Sequence, residues 1–163
     1  MLREVSQRDS STSLGMAVRL TIRNAKLSDA PQLAALMCEL GYETTTAEMR
    51  RRLKSILREA RYRTFVAEIG NQVCGMIGTL TCPSYEHNDA GGRILALVTS
   101  SATRRRGIGR ALIDATEKDF TRRGIRRVAL DTRLTREDAH KFYESLGYER
   151  NGWRFVKQLP ATN

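Results

Sequence analysis

Three consecutive arginines, Arg104, Arg105 and Arg106, run directly into Gly107-Ile108-Gly109-Arg110, the densest group of anion-holding residues in the chain. An aliphatic strand pattern, Arg93 to Thr99, precedes them, and an amphipathic helix pattern follows at once from Ala111 and Leu112. The order strand, glycine turn, helix start is that of an anion site. The first turn of a helix presents unpaired N–H groups and the positive end of the dipole, and glycines keep that approach free of side chains. The four arginines add charge around it. We read Thr103 to Leu112 as a cradle for a pyrophosphate. It is neither a P-loop, which needs G-x-x-x-x-G-K-[ST], nor a dinucleotide fingerprint, which needs a third glycine.

A second group able to do chemistry lies between Cys82 and Gly92, where Pro, Asn, Asp and Gly mark a loop that also holds Tyr85, Glu86, His87 and Asp89. We take it as a substrate-facing loop in which Glu86, His87 and Asp89 are, by residue type, candidates for a general base. Each is also an ordinary polar loop residue. Metal chemistry is not indicated: the three cysteines, Cys38, Cys74 and Cys82, form no C-x-x-C and are joined by only two histidines. An odd cysteine count argues against a disulfide framework and for reduced thiols in a cytoplasm.

The elements that must position these residues follow from periodicity. Val18 to Ala25 alternates like a half-buried strand. Two helices come next, one capped by Ser28 and stopped by Gly41, the other opened by the capping box Thr45-Thr46-Ala47-Glu48 and carrying Arg50, Arg51, Arg52, Lys54 and Arg58 on its solvated face. Two β-rich runs flank Gly70-Asn71, a hairpin turn. The strand at 93–99, the helix to Arg123 and a short strand at 126–131 make a β-α-β unit. A last helix begins under a Thr135 cap and stops at Gly147. Tyr148 to Leu159 reads as one or two closing strands around an Asn151-Gly152 turn. The order is β-α-α-β-β-β-α-β-α-β, with a further β if the closing turn makes two strands.

At 163 residues this is one domain, spanning about 17–160, with 1–16 a loose polar tail or an over-long start before Met16. A net charge of +10 favours an anionic partner, whether nucleic acid, membrane surface or phosphorylated small molecule. No apolar run reaches the roughly 18 to 20 residues of a membrane helix, and no apolar signal core opens the chain. The expectation is a soluble cytoplasmic protein that does not meet a membrane.

The pattern R-x-x-G-x-G at Arg104 to Gly109, followed by Arg-Ala-Leu, resembles motif A of the GNAT superfamily of N-acetyltransferases. Asp138-Ala-His-Lys-Phe-Tyr-Glu-Ser-Leu-Gly-Tyr148 resembles the same family's motif B at the usual distance downstream. With the element order, the resemblance covers about residues 18 to 159, and within the family it is nearest in look to members acting on small molecules such as aminoglycosides. It implies an α/β (α+β) fold with a mixed, mostly antiparallel sheet of six to seven strands and about four helices. The implied cosubstrate is acetyl-CoA, held by Arg104, Arg105, Arg106, Gly107, Ile108, Gly109, Arg110 and Ala111, by the strand backbone of Leu97, Val98 and Thr99, and by Arg136. Transfer to a primary amine of a small molecule or peptide would follow by direct attack in a ternary complex, with Tyr143 as general acid to the leaving thiolate and also in contact with the cofactor. Tyr42 and Tyr85 would line the acceptor site, and a homodimer is common in such families.

Two departures from the family pattern stand out. Arg93 occupies the place where many relatives carry a glutamate that serves as general base, which leaves the base unassigned. The turn before the last helix lacks the usual asparagine, so Arg133 or Arg136 would meet the phosphates instead. A GNAT-fold protein that binds acyl-CoA without turnover, and a basic nucleic-acid-binding module, are the alternatives. The second would need aromatics interleaved with exposed bases, a pattern this chain does not show.

Overall fold

The protein is described by a computed structural model covering residues 19–161. Its elements run β1 (Leu20–Asn24), α1 (Ala30–Glu39), α2 (Thr46–Ile56), β2 (Tyr62–Ile69), β3 (Gln72–Cys82), β4 (Gly91–Thr99), α3 (Ile108–Arg122), β5 (Val128–Leu130) and α4 (Glu137–Ser145), with 3-10 turns at Leu27–Asp29 and Ser101–Thr103. The expected tail at 1–16 lies outside the described residues.

The strands form one sheet in the order β1-β2-β3-β4-β5, antiparallel except for the parallel β4–β5 pair. The hairpin between β2 and β3 turns on Gly70 and Asn71, both left-handed at φ 56° and 63°, the conformation a two-residue type I′ turn demands. Adjacent residues serve opposite faces, as pleating requires. Val66 and Met76 join α1 and α2 in one core, whereas Ala67 and Ile77 join α3 in the other. α3 lies close to the sheet because a Cβ on Gly75 would stand 3.0 Å from Ile108, and one on Gly92 would meet the ring of Phe120 at 2.8 Å. That close seating brings the start of α3 against the end of β4.

Local caps explain the helix starts only in part. Thr45 accepts from the Glu48 N–H at 3.2 Å while the Glu48 carboxylate accepts from the Thr45 N–H at 2.8 Å, so the expected box is present. Ser28 is not the cap of α1; a 3-10 turn intervenes and Asp29 takes that position. Asp29 is 5% exposed and receives two bonds of 2.9 Å from the guanidinium of Arg23, which also grips Glu68. This cluster ties β1, β2 and the head of α1 together. Thr135 likewise does not cap α4, whose N-cap residue is Arg136 with no side-chain bond.

The sheet has five strands among the described residues, not six or seven. Tyr148 to Leu159 forms neither of the closing strands, and Asn151-Gly152 makes no hairpin. Trp153 and Phe155 are 76% and 92% exposed. Alternation shows which side chains would share a face, but a strand also needs a partner edge, and β5 presents three residues only. The Tyr148 hydroxyl donates to Glu117 on α3 at 2.8 Å, which holds the beginning of the segment in the helical layer rather than beside β5.

Candidate active site

β4 and β5 part company within the sheet. Their parallel pairing covers Gly92 to Ile94 against Val128 to Leu130 and stops there. At the same level β4 carries a bulge: Ile94 faces Thr79 and Ala96 faces Gly78, so Leu95 has no partner on β3 and is 51% exposed. Bulges bend a strand and raise its twist. From Leu95 to Thr99 the edge of β4 that would meet β5 is therefore unpaired, and its backbone groups are left available along a wedge-shaped opening. Leu97, Val98 and Thr99 lie on this edge.

The opening ends at the turn between β4 and α3. Arg105 is left-handed at φ 63°, Gly107 likewise at φ 74°, and α3 begins at the next residue. Left-handed residues alternating with others gather successive N–H groups into a concavity that suits an anion. No backbone N–H from Arg104 to Arg110 finds a protein acceptor outside the helix among the described residues. The side chains of Arg104, Arg105, Arg106 and Arg110 are exposed, and none enters an ion pair among the described residues. These features fit a phosphate group. The two glycines serve different ends. Gly107 supplies a backbone angle that L-residues adopt at a cost, with open space around it. At Gly109 a Cβ would stand 3.2 Å from the ring of Phe142, so its smallness admits α4.

That contact places α4 beside the cradle. Tyr143, next to Phe142, is partly buried in the α3-side core with Leu97 and meets the rings of Phe142 and Tyr148 edge-on at 5.2 and 5.8 Å. Burial raises the pKa of its phenol above the ordinary value, with Arg136 opposing weakly. Tyr148 is raised further, by burial and by its bond to Glu117. The two tyrosines thus differ. Tyr148 is committed to Glu117, whereas the Tyr143 hydroxyl has no bonded partner among the described residues.

The other face of the opening is framed by chain between elements. Glu39, at the end of α1, accepts from the Ser101 N–H at 2.6 Å and from the Ser100 hydroxyl at 3.4 Å, just past β4. Three residues on, the ring of Tyr42 lies under the guanidinium of Arg133 at 6.0 Å, just past β5. The connection from α1 to α2 therefore spans the wedge from one strand's end to the other's. Arg93, in the position expected to carry an acid, pairs with Asp131 at 2.6 Å across the vertex. His140 is engaged with the Arg133 carbonyl at 2.9 Å.

The loop from Cys82 to Gly92 stands at the opposite end of β4 from the cradle, about 25 Å away along a nine-residue strand. Tyr85 is fully exposed there. The N–H groups of Glu86 and His87 both donate to Ser84, at 3.1 Å, and the Arg127 guanidinium holds the Asp89 carboxyl below its usual range. The structure does not bring these four residues to the wedge. Glu39, Asp131 and the Tyr42–Arg133 pair were not singled out as partners by pattern. The available signal was Asp131 itself, an acid directly following the short strand that leaves β4.

An unpaired strand edge thus runs into a nest of left-handed backbone and exposed arginines, beside a tyrosine whose hydroxyl has no bonded partner among the described residues. The chain belongs to the acetyltransferase (GNAT) family, whose profile matches residues 30–148. It is 30% identical over 139 residues to the aminoalkylphosphonate N-acetyltransferase of Salmonella typhimurium, covering 85% of this chain and 90% of that protein. A GNAT family acetyltransferase structure from Staphylococcus aureus superposes with a TM-score of 0.76 at 29% identity, over 86% of this chain and 98% of that one. An aminoglycoside N-acetyltransferase solved in complex with CoA shares the fold, with a TM-score of 0.80 at 18% identity over 91% and 99% of the two chains. The protein is thus an acetyltransferase with an α/β fold. Among the described residues no cluster of His, Cys, Asp and Glu forms a metal site, and no helix is long and apolar enough to cross a membrane.

Proposed function

We propose that the protein transfers an acetyl group from acetyl-CoA to a primary amine of a small molecule or peptide, in a ternary complex. The pyrophosphate would be held by the N–H groups and arginines of 104–111, with Arg136 at the head of α4 adding charge. The unpaired backbone of Leu97, Val98 and Thr99 would bond the amides of the pantetheine arm. Bound acetyl-CoA supplies an activated thioester. The amine nitrogen forms a bond to the acetyl carbon as the carbon–sulfur bond breaks, and Tyr143 donates its phenolic proton to the departing thiolate. A phenol kept protonated by burial and free of other partners suits that role. Arg93 in place of a strand-borne acid means that the amine is taken in its neutral form. The proton its nitrogen loses on becoming an amide passes to solvent at the mouth of the wedge, and solvent returns a proton to the Tyr143 phenolate, which closes the cycle.

The observation that carries this reading is the β4 edge that loses its partner at Leu95 and runs unpaired into the left-handed cradle. The named relatives leave the acceptor open between an amine bearing an acid and a polycationic aminoglycoside. Free thiols at Cys38, Cys74 and Cys82 support a reducing, cytoplasmic setting. Thermal unfolding with and without acetyl-CoA tests the donor. A ligand at 100 times its Kd adds about 2.7 kcal/mol of stability, and absence of a shift rejects the assignment. Release of free CoA on addition of an amine tests transfer.

A further inference from the structure

Resting on the amine-acetylation reading, we infer that the acceptor is a small primary amine that carries an acidic group of its own, and that Arg133, over the ring of Tyr42, and Arg52, linked to the Tyr42 backbone through Thr44, bind that acid. The connection from α1 to α2 bridges the wedge, pinned by Glu39 to the end of β4 and by Tyr42 to the chain beyond β5. An acceptor reaching the β4 edge from the α1–α2 face passes Tyr42. Arg133 rests over its ring. Arg52 donates from Nη1 to the Thr44 hydroxyl at 3.2 Å, and that hydroxyl donates to the Tyr42 carbonyl at 2.9 Å.

The two guanidiniums are exposed and neither meets a carboxylate within 4.0 Å among the described residues. A guanidinium has five N–H donors in a fork that matches an oxyanion, and stacking on an aromatic ring leaves its edge free for that purpose. Two acids at the opening are engaged, Glu39 with Ser100 and Ser101 and Asp131 with Arg93; Glu43, and Glu137 and Asp138 in the first turn of α4, have no bonded partner among the described residues. Guanidiniums without a carboxylate partner complement an anion and repel a polycation. Arg133 has its ring contact with Tyr42, whereas the cradle arginines lie in the turn at the start of α3.

Release of free CoA by the full chain, at saturating acetyl-CoA, tests this with β-alanine, taurine and 2-aminoethylphosphonate against ethanolamine and spermidine. The expected kcat/KM for the acidic amines exceeds that for ethanolamine by about tenfold or more, with spermidine lowest, as a charge-assisted bond predicts. In Arg133→Gln combined with Arg52→Gln that ratio falls to near one, while acetyl-CoA still raises the melting temperature. Arg133→Lys restores part of the preference. Equal or better use of ethanolamine or spermidine by the unaltered protein overturns the inference, as does a preference that survives the double substitution. If no amine releases CoA while acetyl-CoA still raises the melting temperature, the acceptor assignment fails and the donor site stands; if acetyl-CoA gives no shift, the donor reading itself fails.

Discussion

On the α3 side of the wedge the residues of the cradle are set by regular elements: β4 delivers them, α3 begins on them and α4 is packed against them through Phe142. On the α1–α2 side, Tyr42, Asp131 and Arg133 all lie on chain between elements, each oriented by one exposed contact. The first arrangement tolerates little change, because moving any part moves a helix. The second can be altered one residue at a time without disturbing the sheet, which is how binding loops on a rigid scaffold vary. A donor common to a family and acceptors that differ within it call for that division.

The largest effect that would break the comparison comes from Gly109→Leu. Its side chain must displace Phe142, so we expect the acetyl-CoA melting shift to vanish and CoA release to fall more than about 100-fold, since small misplacements cost that much; full activity would show the cradle to be adaptable after all. Tyr143→Phe should lower kcat by about 100-fold with little change in the KM for acetyl-CoA. Because burial raises the Tyr143 pKa above its ordinary 10, the acid stays protonated as pH rises, and the rate should climb through the amine's own pKa and decline only above about pH 10. An earlier decline would point to another group. On the acceptor side, Tyr42→Ala should raise the acceptor KM about tenfold, roughly 1.4 kcal/mol, leaving the acetyl-CoA melting shift intact. A loss of that shift would mean the two sides are not separable. Smallest is Arg105→Gly, which relieves a left-handed arginine worth about 1 kcal/mol and should raise the melting temperature of the cofactor-free protein by about 2 to 4 °C.

The same division decides what could be read from the sequence. The Gly70-Asn71 hairpin, the Thr45–Glu48 box and the cradle turn are each written within a few residues, where backbone preference acts locally. Arg93 and Asp131 are 38 positions apart, and Glu39 and Ser101 are 62 apart; these meet only because the strands take their particular register, which pattern does not specify. The loop holding Glu86, His87 and Asp89 showed the right residue types, but residue type says nothing about which end of β4 the loop occupies. The reading of Tyr148 to Leu159 as closing strands around Asn151-Gly152 rests on local residue type and cannot reveal that the segment lacks a partner edge. At Gly109 the sequence suggests room for an anion to approach, and what it does not show is that a Cβ there would meet the ring of Phe142.

The Gly109–Phe142 contact bears on inheritance as much as on packing. Position 109 belongs to one motif and 142 to another, yet a methyl group at the first would press on the ring at the second. The two should therefore change together: descendants that acquire alanine at 109 should also carry a smaller side chain at 142, and those that keep an aromatic at 142 should keep glycine at 109. Across a set of related sequences, free mixing of the two would mean that lineages have found other ways to seat α4.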